Sequence, residues 1–204
     1  MNKAKHTDNI DILLIGGGVM SATLATLLSQ LAPELQILMV ERQSAVATES
    51  TDAWNNAGTG HAGYCELNYT PQAADGTVAI NRALAINAAF EVSLELWSSL
   101  VEQGSLPAPS TFINASPHES FVWGEKDVAF LKARHALLQK HHLFADMEYS
   151  EDAATISQWM PLVMQQRAIS TPIAATRVAY GTDVDFGALT RHMVAALERQ
   201  SNFR

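Results

Sequence analysis

Three consecutive glycines, Gly16-Gly17-Gly18, then Met20 and Ser21, then an acid at Glu41 twenty residues after Ser21, have the residue types and spacing that hold a dinucleotide. Gly16 lets a strand end in a tight turn, and Gly18 lets backbone amides approach a pyrophosphate with no Cβ in the way. Unpaired amides and the helix dipole at such a turn stabilise negative charge. Ser21 occupies the position where a small residue permits close helix–strand packing. The Glu41 carboxylate can accept hydrogen bonds from a ribose 2′-hydroxyl and repels a 2′-phosphate, which disfavours NADP.

A glycine triplet alone is more often a plain turn, so the flanking elements decide the reading. Ile10 to Ile15 is an apolar run, Ala22 to Leu31 is helix-forming, and Leu35 to Val40 is a second apolar run that stops at Glu41. Strand, glycine turn, helix, strand and acid occur in the order a dinucleotide fold needs. The order does not separate FAD from NAD. A second segment bears on that choice: from Glu49 to Tyr69, small residues alternate with hydrogen-bonding ones, including Asn56, Gly58, Thr59, Gly60 and His61. Such a loop can pass close to a flat ring system and offer N–H groups to its edge, and a nicotinamide enzyme needs no such segment here. Its plain alternative is a surface loop rich in turn residues.

The 204 residues are 48% hydrophobic and 17% charged, the make-up of a globular chain and not a disordered one. The formal charge of −8, with Lys and Arg scattered, argues against nucleic-acid partners and against strong attraction to an anionic membrane. The single cysteine, Cys65, has no internal disulfide partner, which fits a reducing, cytoplasmic setting. No uninterrupted apolar run approaches the ~20 residues of a spanning helix, so no transmembrane segment is expected. The histidines lack metal-ligand partners at diagnostic spacing, and no metal is expected.

Beyond the second loop, Thr77 to Gln103 has helical periodicity through Phe90, Leu94, Trp97 and Val101, with Gly104 as its C-cap. Thr111 to Ile113 and Ser120 to Trp123 read as the arms of a hairpin turning at Pro117. Gly124 to His141 is a helix with Val128, Leu131, His135 and Leu138 along one stripe. Ser150-Glu151-Asp152 opens a short helix that ends at Pro161. Arg177 to Tyr180 is a strand, and Asp185 to Gln200 a final helix with Leu189, Met193, Ala196 and Leu197 inward.

With those residues in view, the chain resembles the malate:quinone oxidoreductases. The block Asn56-Ala57-Gly58-Thr59-Gly60-His61-Ala62-Gly63, followed by Cys65-Glu66-Leu67-Asn68-Tyr69-Thr70-Pro71, carries most of the likeness. Pro117-His118, Ser120 to Gly124, Phe130 to Arg134, Met147 to Ser150, Trp159 to Leu162, Gly181 to Gly187 and Leu189-Thr190-Arg191 extend it over nearly the whole chain from Ile10. The resemblance implies an α/β fold with a Rossmann-like, non-covalent FAD domain of the glutathione-reductase-like class. It also implies oxidation of (S)-malate to oxaloacetate, electrons passing to membrane quinone, a place in the tricarboxylic acid cycle and peripheral attachment to the cytoplasmic membrane. The flavin would carry the hydride chemistry. Gly16, Gly18 and Ser21, with Gly17 and Met20 in the same turn, would hold the FAD pyrophosphate; Glu41 would bind the adenosine ribose, and Asn56 to Ala62 would line the isoalloxazine.

Alcohol oxidation also needs a base and cationic donors for a dicarboxylate. His61, His118 and Arg177 are the candidates, each with a structural alternative. The expected layout is residues 1–76 as the first part of the FAD domain, 77–180 as a helix-rich, hairpin-containing segment opening the substrate domain, and 181–204 returning toward the FAD domain. Family members are longer, so the chain reads as an N-terminal piece, with nothing after Gln200 to supply further strands. A non-catalytic FAD-binding remnant and an oxidoreductase of another 2-hydroxy acid, such as 2-hydroxyglutarate, are the alternatives.

Overall fold

A computed structural model describes residues 9–60, 62–168 and 170–204. The elements run β1 (Ile12–Ile15), α1 (Val19–Leu31), β2 (Ile37–Val40), α2 (Asn81–Glu102), β3 (Ile113–Ala115), β4 (His118–Trp123), α3 (Glu125–Leu138), β5 (Glu148–Ser150), α4 (Ala153–Trp159), α5 (Pro161–Met164), β6 (Ile173–Val178), β7 (Thr182–Val184) and α6 (Phe186–Leu197). They form two compact units. Unit one is Met1–Gly58, Trp97–Asn114 and Val184–Arg204; unit two is Thr59–Leu96 and Ala115–Asp183.

In unit one, β1 and β2 pair in parallel from Ile12↔Ile37 to Ile15↔Val40. Side chains alternate across a strand. Leu14 and Ile37 therefore face a core with Ala25, Leu197 and Phe203, and Leu13 and Ile15 take the other face, 55% and 81% exposed. Helix α1 packs against α6, whose N-cap Asp185 accepts a hydrogen bond from the Ala188 amide at 2.8 Å. The chain after Gln200 corrects one expectation. Phe203 bridges Ile37 in parallel, the Ile37 amide donates to Asn202 O at 2.8 Å, and the Met39 amide to Arg204 O at 2.8 Å. A third parallel partner thus lies on the β2 edge, giving the order 202–204, β2, β1.

In unit two, β6 is the central strand of an antiparallel sheet ordered β4-β6-β5, with His118 opposite Val178 and Glu119 opposite Arg177. Ile173 and Ala175 pack on one face under Ile156 of α4 and Met164 of α5. Ala174 packs on the other with Val122 and with Val128 and Leu131 of α3. Coverage of both faces explains why β6 is an almost continuously buried run.

The expected hairpin does not form. β3 and β4 flank the Pro117 turn, but β3 pairs with β7 and β4 with β6. Non-local partners satisfy both strands, a choice that local turn signals cannot reveal. The strand expected at Arg177 to Tyr180 begins at Ile173 and ends at Val178. Pro161 ends α4 and also starts α5, where a proline at the first position loses no helical hydrogen bond. Among the described residues one helix, α2, is long and apolar enough by length and composition to cross a membrane. Ala83, Asn87, Phe90, Trp97 and Leu100 form a buried stripe along it, and Arg82, Glu91, Glu95 and Glu102 break its apolar sequence into short runs.

Candidate dinucleotide site

The site in unit one is assembled where β1 turns into α1. The Gly16 amide still belongs to the sheet, donating to Val40 O at 2.8 Å, and its φ of +94° sends the chain into the turn. The Gly17 amide donates to Glu41 Oε2 at 2.7 Å, and the Gln43 amide to Glu41 Oε1 at 2.8 Å. These two backbone donors, Gln43 first, hold the Glu41 carboxyl below its ordinary range. A Cβ on Gly17 would stand 2.6 Å from Val46 Cγ1 and 3.3 Å from Glu41 Oε2, so a larger residue would force the Val46 side chain to move. Gly18 is an extended N-cap with no side-chain cap, and the Val19 amide donates to Thr51 Oγ1 at 3.2 Å. The loop returns over the turn, with the Ala47 amide donating to Gly17 O at 3.0 Å.

A cleft of about 200 Å³ lies between the glycines, Glu41 and residues 47–51. A recess of about 480 Å³ continues past Ile15, Val40, Glu41, Arg42 and Glu49. Among the described residues, no protein acceptor meets the amides of Gly18, Met20 or Ser21. Helix starts leave such donors open, and the dipole favours an anion there. Each Glu41 oxygen, with one amide bound, keeps a lone pair for a hydroxyl. A diphosphate on the helix start and a neutral diol at Glu41 fit this donor set; a further phosphate at Glu41 would meet a carboxylate. Gly16 and Gly17 supply space and hold the acid, so the open donors are Gly18, Met20 and Ser21.

The remaining expected residues are spread more widely. In unit one, the Asn56 side chain is spent on its own loop: Oδ1 accepts from the Gly58 amide at 3.0 Å, and Nδ2 donates to Asp52 O at 2.7 Å. In unit two, Gly60 has φ +64°, and a Cβ there would run into the Phe90 ring. Thr59 lies beside it in the same unit; His61 lies outside the described residues.

His118 is buried on β4, with Nε2 2.8 Å from Thr182 O. A carbonyl only accepts, so Nε2 carries a proton, and Nδ1 is buried without a partner. Arg177 Nε lies 3.5 Å from Glu119 Oε1, poorly aligned for a hydrogen bond, with the guanidinium over Trp159. Burial raises the Glu119 pKa, and the Arg177 charge opposes that shift. Because Glu119 is directly opposite Arg177 in the sheet, His118 and Arg177 point to opposite faces and do not converge on one substrate. Cys65 is a packed thiol that burial, and then the Glu66 charge, push up to about 12.

Sequence reading missed Thr51, Asn87, Ser120 and Arg134. The last is fully buried on the stripe of Val128, Leu131 and Leu138, where His135 was expected and is only partly buried. Spacing carries the signal, since 131, 134 and 138 share a helix face.

A family model for malate:quinone oxidoreductase matches residues 8–204. A probable malate:quinone oxidoreductase of Methylobacillus flagellatus is 68% identical over 194 residues, covering 95% of this chain and 39% of that protein. Among solved structures, a glycine oxidase from Geobacillus kaustophilus aligns with TM-score 0.63 at 12% identity, over 95% of this chain and 45% of its own. An L-alpha-glycerophosphate oxidase from Mycoplasma pneumoniae, solved with FAD bound, aligns with TM-score 0.54 at 15% identity, over 95% of this chain and 43% of its own. Those structural likenesses establish the fold. The chain spans about two-fifths of the length of the curated relatives it matches. With the sequence match running from residue 8 to the last residue, the chain belongs to the malate:quinone oxidoreductase family.

Proposed function

We propose that unit one binds FAD, and that the protein of which these residues form the nucleotide-binding part oxidises (S)-malate to oxaloacetate and delivers electrons to quinone at the cytoplasmic membrane surface. The observation that carries the cofactor assignment is the Gly17–Glu41 hydrogen bond beside the open amides of Gly18, Met20 and Ser21. The donors suit a pyrophosphate, and the acid suits an unphosphorylated ribose. FAD is favoured over NAD by the turn-rich segment Asn56 to Gly60, and by the FAD-bound relative in fold. Malate and quinone rest on family membership.

When bound, FAD supplies the hydride-accepting chemistry. The residues of the chain bind and orient it. Gly18, Met20 and Ser21 would donate to its pyrophosphate, and Glu41 would accept from its ribose. Of the candidates His118 and Arg177, His118 has the chemistry of a proton acceptor, and its Nδ1 makes no hydrogen bond among the described residues. Arg177 is less suited to clamping a dicarboxylate, since Glu119 already neutralises it.

Purified chain mixed with FAD and assayed for malate-dependent dye reduction tests the reading. Flavin uptake with malate-dependent reduction supports the whole proposal. Flavin uptake without turnover favours a nucleotide-binding piece without activity of its own, a second reading that the exposed Leu13/Ile15 sheet face and the 39% coverage of the M. flagellatus relative support.

A further inference from the structure

Glu49 stands in the walls of both parts of the cleft in unit one, the part beside the glycines and the recess past Ile15, Val40 and Glu41. Its Oε1 accepts from Arg42 Nη2 at 3.0 Å and from Gln43 Nε2 at 3.0 Å. Gln43 links the two acids of the cleft, because its amide donates to Glu41 Oε1 at 2.8 Å while its side chain donates to Glu49. The Glu49 backbone is fixed as well. Its carbonyl accepts from the Asp52 amide at 2.9 Å and from Asn55 Nδ2 at 2.9 Å.

The guanidinium of Arg42 makes this arrangement consequential. Arg42 directly follows the ribose acid in sequence and lines the same recess. An arginine near this acid is the group that accommodates a 2′-phosphate, since its planar fork pairs with phosphate oxygens. Glu41 repels a 2′-phosphate and a free Arg42 would attract one, so the two neighbours oppose each other on the same ligand group. The amides of Gln43 and then Gly17 do most to lower the Glu41 pKa, and the Arg42 charge adds to that lowering. The guanidinium is therefore within electrostatic reach of the ribose acid.

Glu49 decides the balance. The recess is walled by two acids and one guanidinium, and the guanidinium already has an anionic partner. The Arg42 and Glu49 side chains are 82% and 65% exposed, and an isolated pair that exposed is worth little. Here Gln43 and the turn from Glu49 to Asn55 hold the acid in place, which lowers the entropy lost in pairing with Arg42.

We propose that Glu49 is a specificity-determining residue of this site. By holding Arg42 it denies a 2′-phosphate its cationic partner, so rejection of 2′-phosphorylated dinucleotides rests on two acids and not on Glu41 alone. This rests on the dinucleotide assignment above and adds a residue outside the glycine turn to it.

Calorimetric titration with ADP-ribose and 2′-phospho-ADP-ribose, which differ only in the 2′-phosphate, tests it. The purified chain is compared as wild type, Glu49→Gln and Glu49→Gln/Arg42→Ala at one low ionic strength, so that screening is constant. Wild type is expected to bind the 2′-phosphorylated probe about tenfold more weakly than ADP-ribose. In Glu49→Gln that ratio should fall about fivefold, because the freed guanidinium pairs with the phosphate. Replacing Arg42 as well should restore most of the wild-type ratio. An unchanged ratio in Glu49→Gln overturns the proposal, as does wild type binding both probes equally. An equal fall in the double variant overturns it too, since Glu49 would then act by its charge alone. FAD titration of the same samples keeps the two readings apart. Uptake of FAD with no gain of the 2′-phosphorylated probe in Glu49→Gln contradicts the role of Glu49. A folded wild-type chain that takes up neither FAD nor ADP-ribose contradicts the dinucleotide assignment, and this proposal with it.

Discussion

Glu41 Oε2 accepts the Gly17 amide at 2.7 Å, so the acid at the end of β2 ties down the turn at the end of β1. The same carboxylate that would face a ribose thus also sets the conformation of the pyrophosphate turn. In the proposed FAD site, cofactor affinity and local order would be coupled at this one side chain.

That coupling has a pH signature. The amides of Gln43 and Gly17 hold the Glu41 carboxyl below its ordinary value of 4.5. A lowered folded-state pKa contributes order that is fully present above 4.5 and is lost as pH falls through the folded value. Protection of the Gly17 amide, taken relative to the intrinsic exchange rate at each pH, and FAD affinity should be flat from neutral pH down to that range and weaken below it. Glu41→Gln should weaken FAD at neutral pH and remove the acid limb.

Two neighbouring glycines should respond differently to alanine. In Gly17→Ala the new methyl meets Val46 Cγ1 at 2.6 Å. A loss of ~1–3 kcal/mol in thermal unfolding is expected, with impaired FAD binding. In Gly16→Ala nothing lies within 4 Å, and the φ of +94° alone costs on the order of 1 kcal/mol. Calorimetry and FAD titration on both variants separate clash from backbone strain.

Cys65 should be chemically silent in the folded chain. With its thiol raised to about 12, a thiol reagent at pH 8 should leave native protein unmodified and label one equivalent after denaturation. Fast labelling of native protein would mean that Cys65 is not packed as described.

Gly181 seats His118. A Cβ there would stand 2.5 Å from both His118 Cδ2 and Ser116 O. Gly181→Ala should displace the imidazole from Thr182 O, shift its ring NMR signals and destabilise the chain by ~1–3 kcal/mol. Unchanged His118 signals would contradict the assigned seat.

Much of unit one is legible in the sequence because its information is local. Ile12 to Ile15, the glycine turn and Val19 to Leu31 announce themselves by period and by glycine chemistry, and Glu41 by its distance from the turn. What was illegible depends on partners far along the chain. β4 pairs with β6, some fifty residues later, and not with β3, and residues 202–204 join β2 through backbone bonds that no side-chain pattern encodes. Likewise, Thr51 reads as one of many loop hydroxyls until it accepts from Val19, and Arg134 as one of many surface cations until the stripe phase places it in the core. Asn87 carried the same signal, a polar residue on the buried face of α2.

The proposed FAD site of unit one would seat an unphosphorylated adenosine ribose at Glu41. Titrating the purified chain with FAD, with flavin fluorescence as the readout and NADP⁺ as competitor, tests it most directly. Saturable one-to-one quenching is expected, which Gly17→Ala weakens and NADP⁺ does not relieve. Absence of saturable binding by a chain whose β1, α1 and β2 amides are protected from exchange, or displacement of FAD by NADP⁺ at comparable concentration, would contradict it.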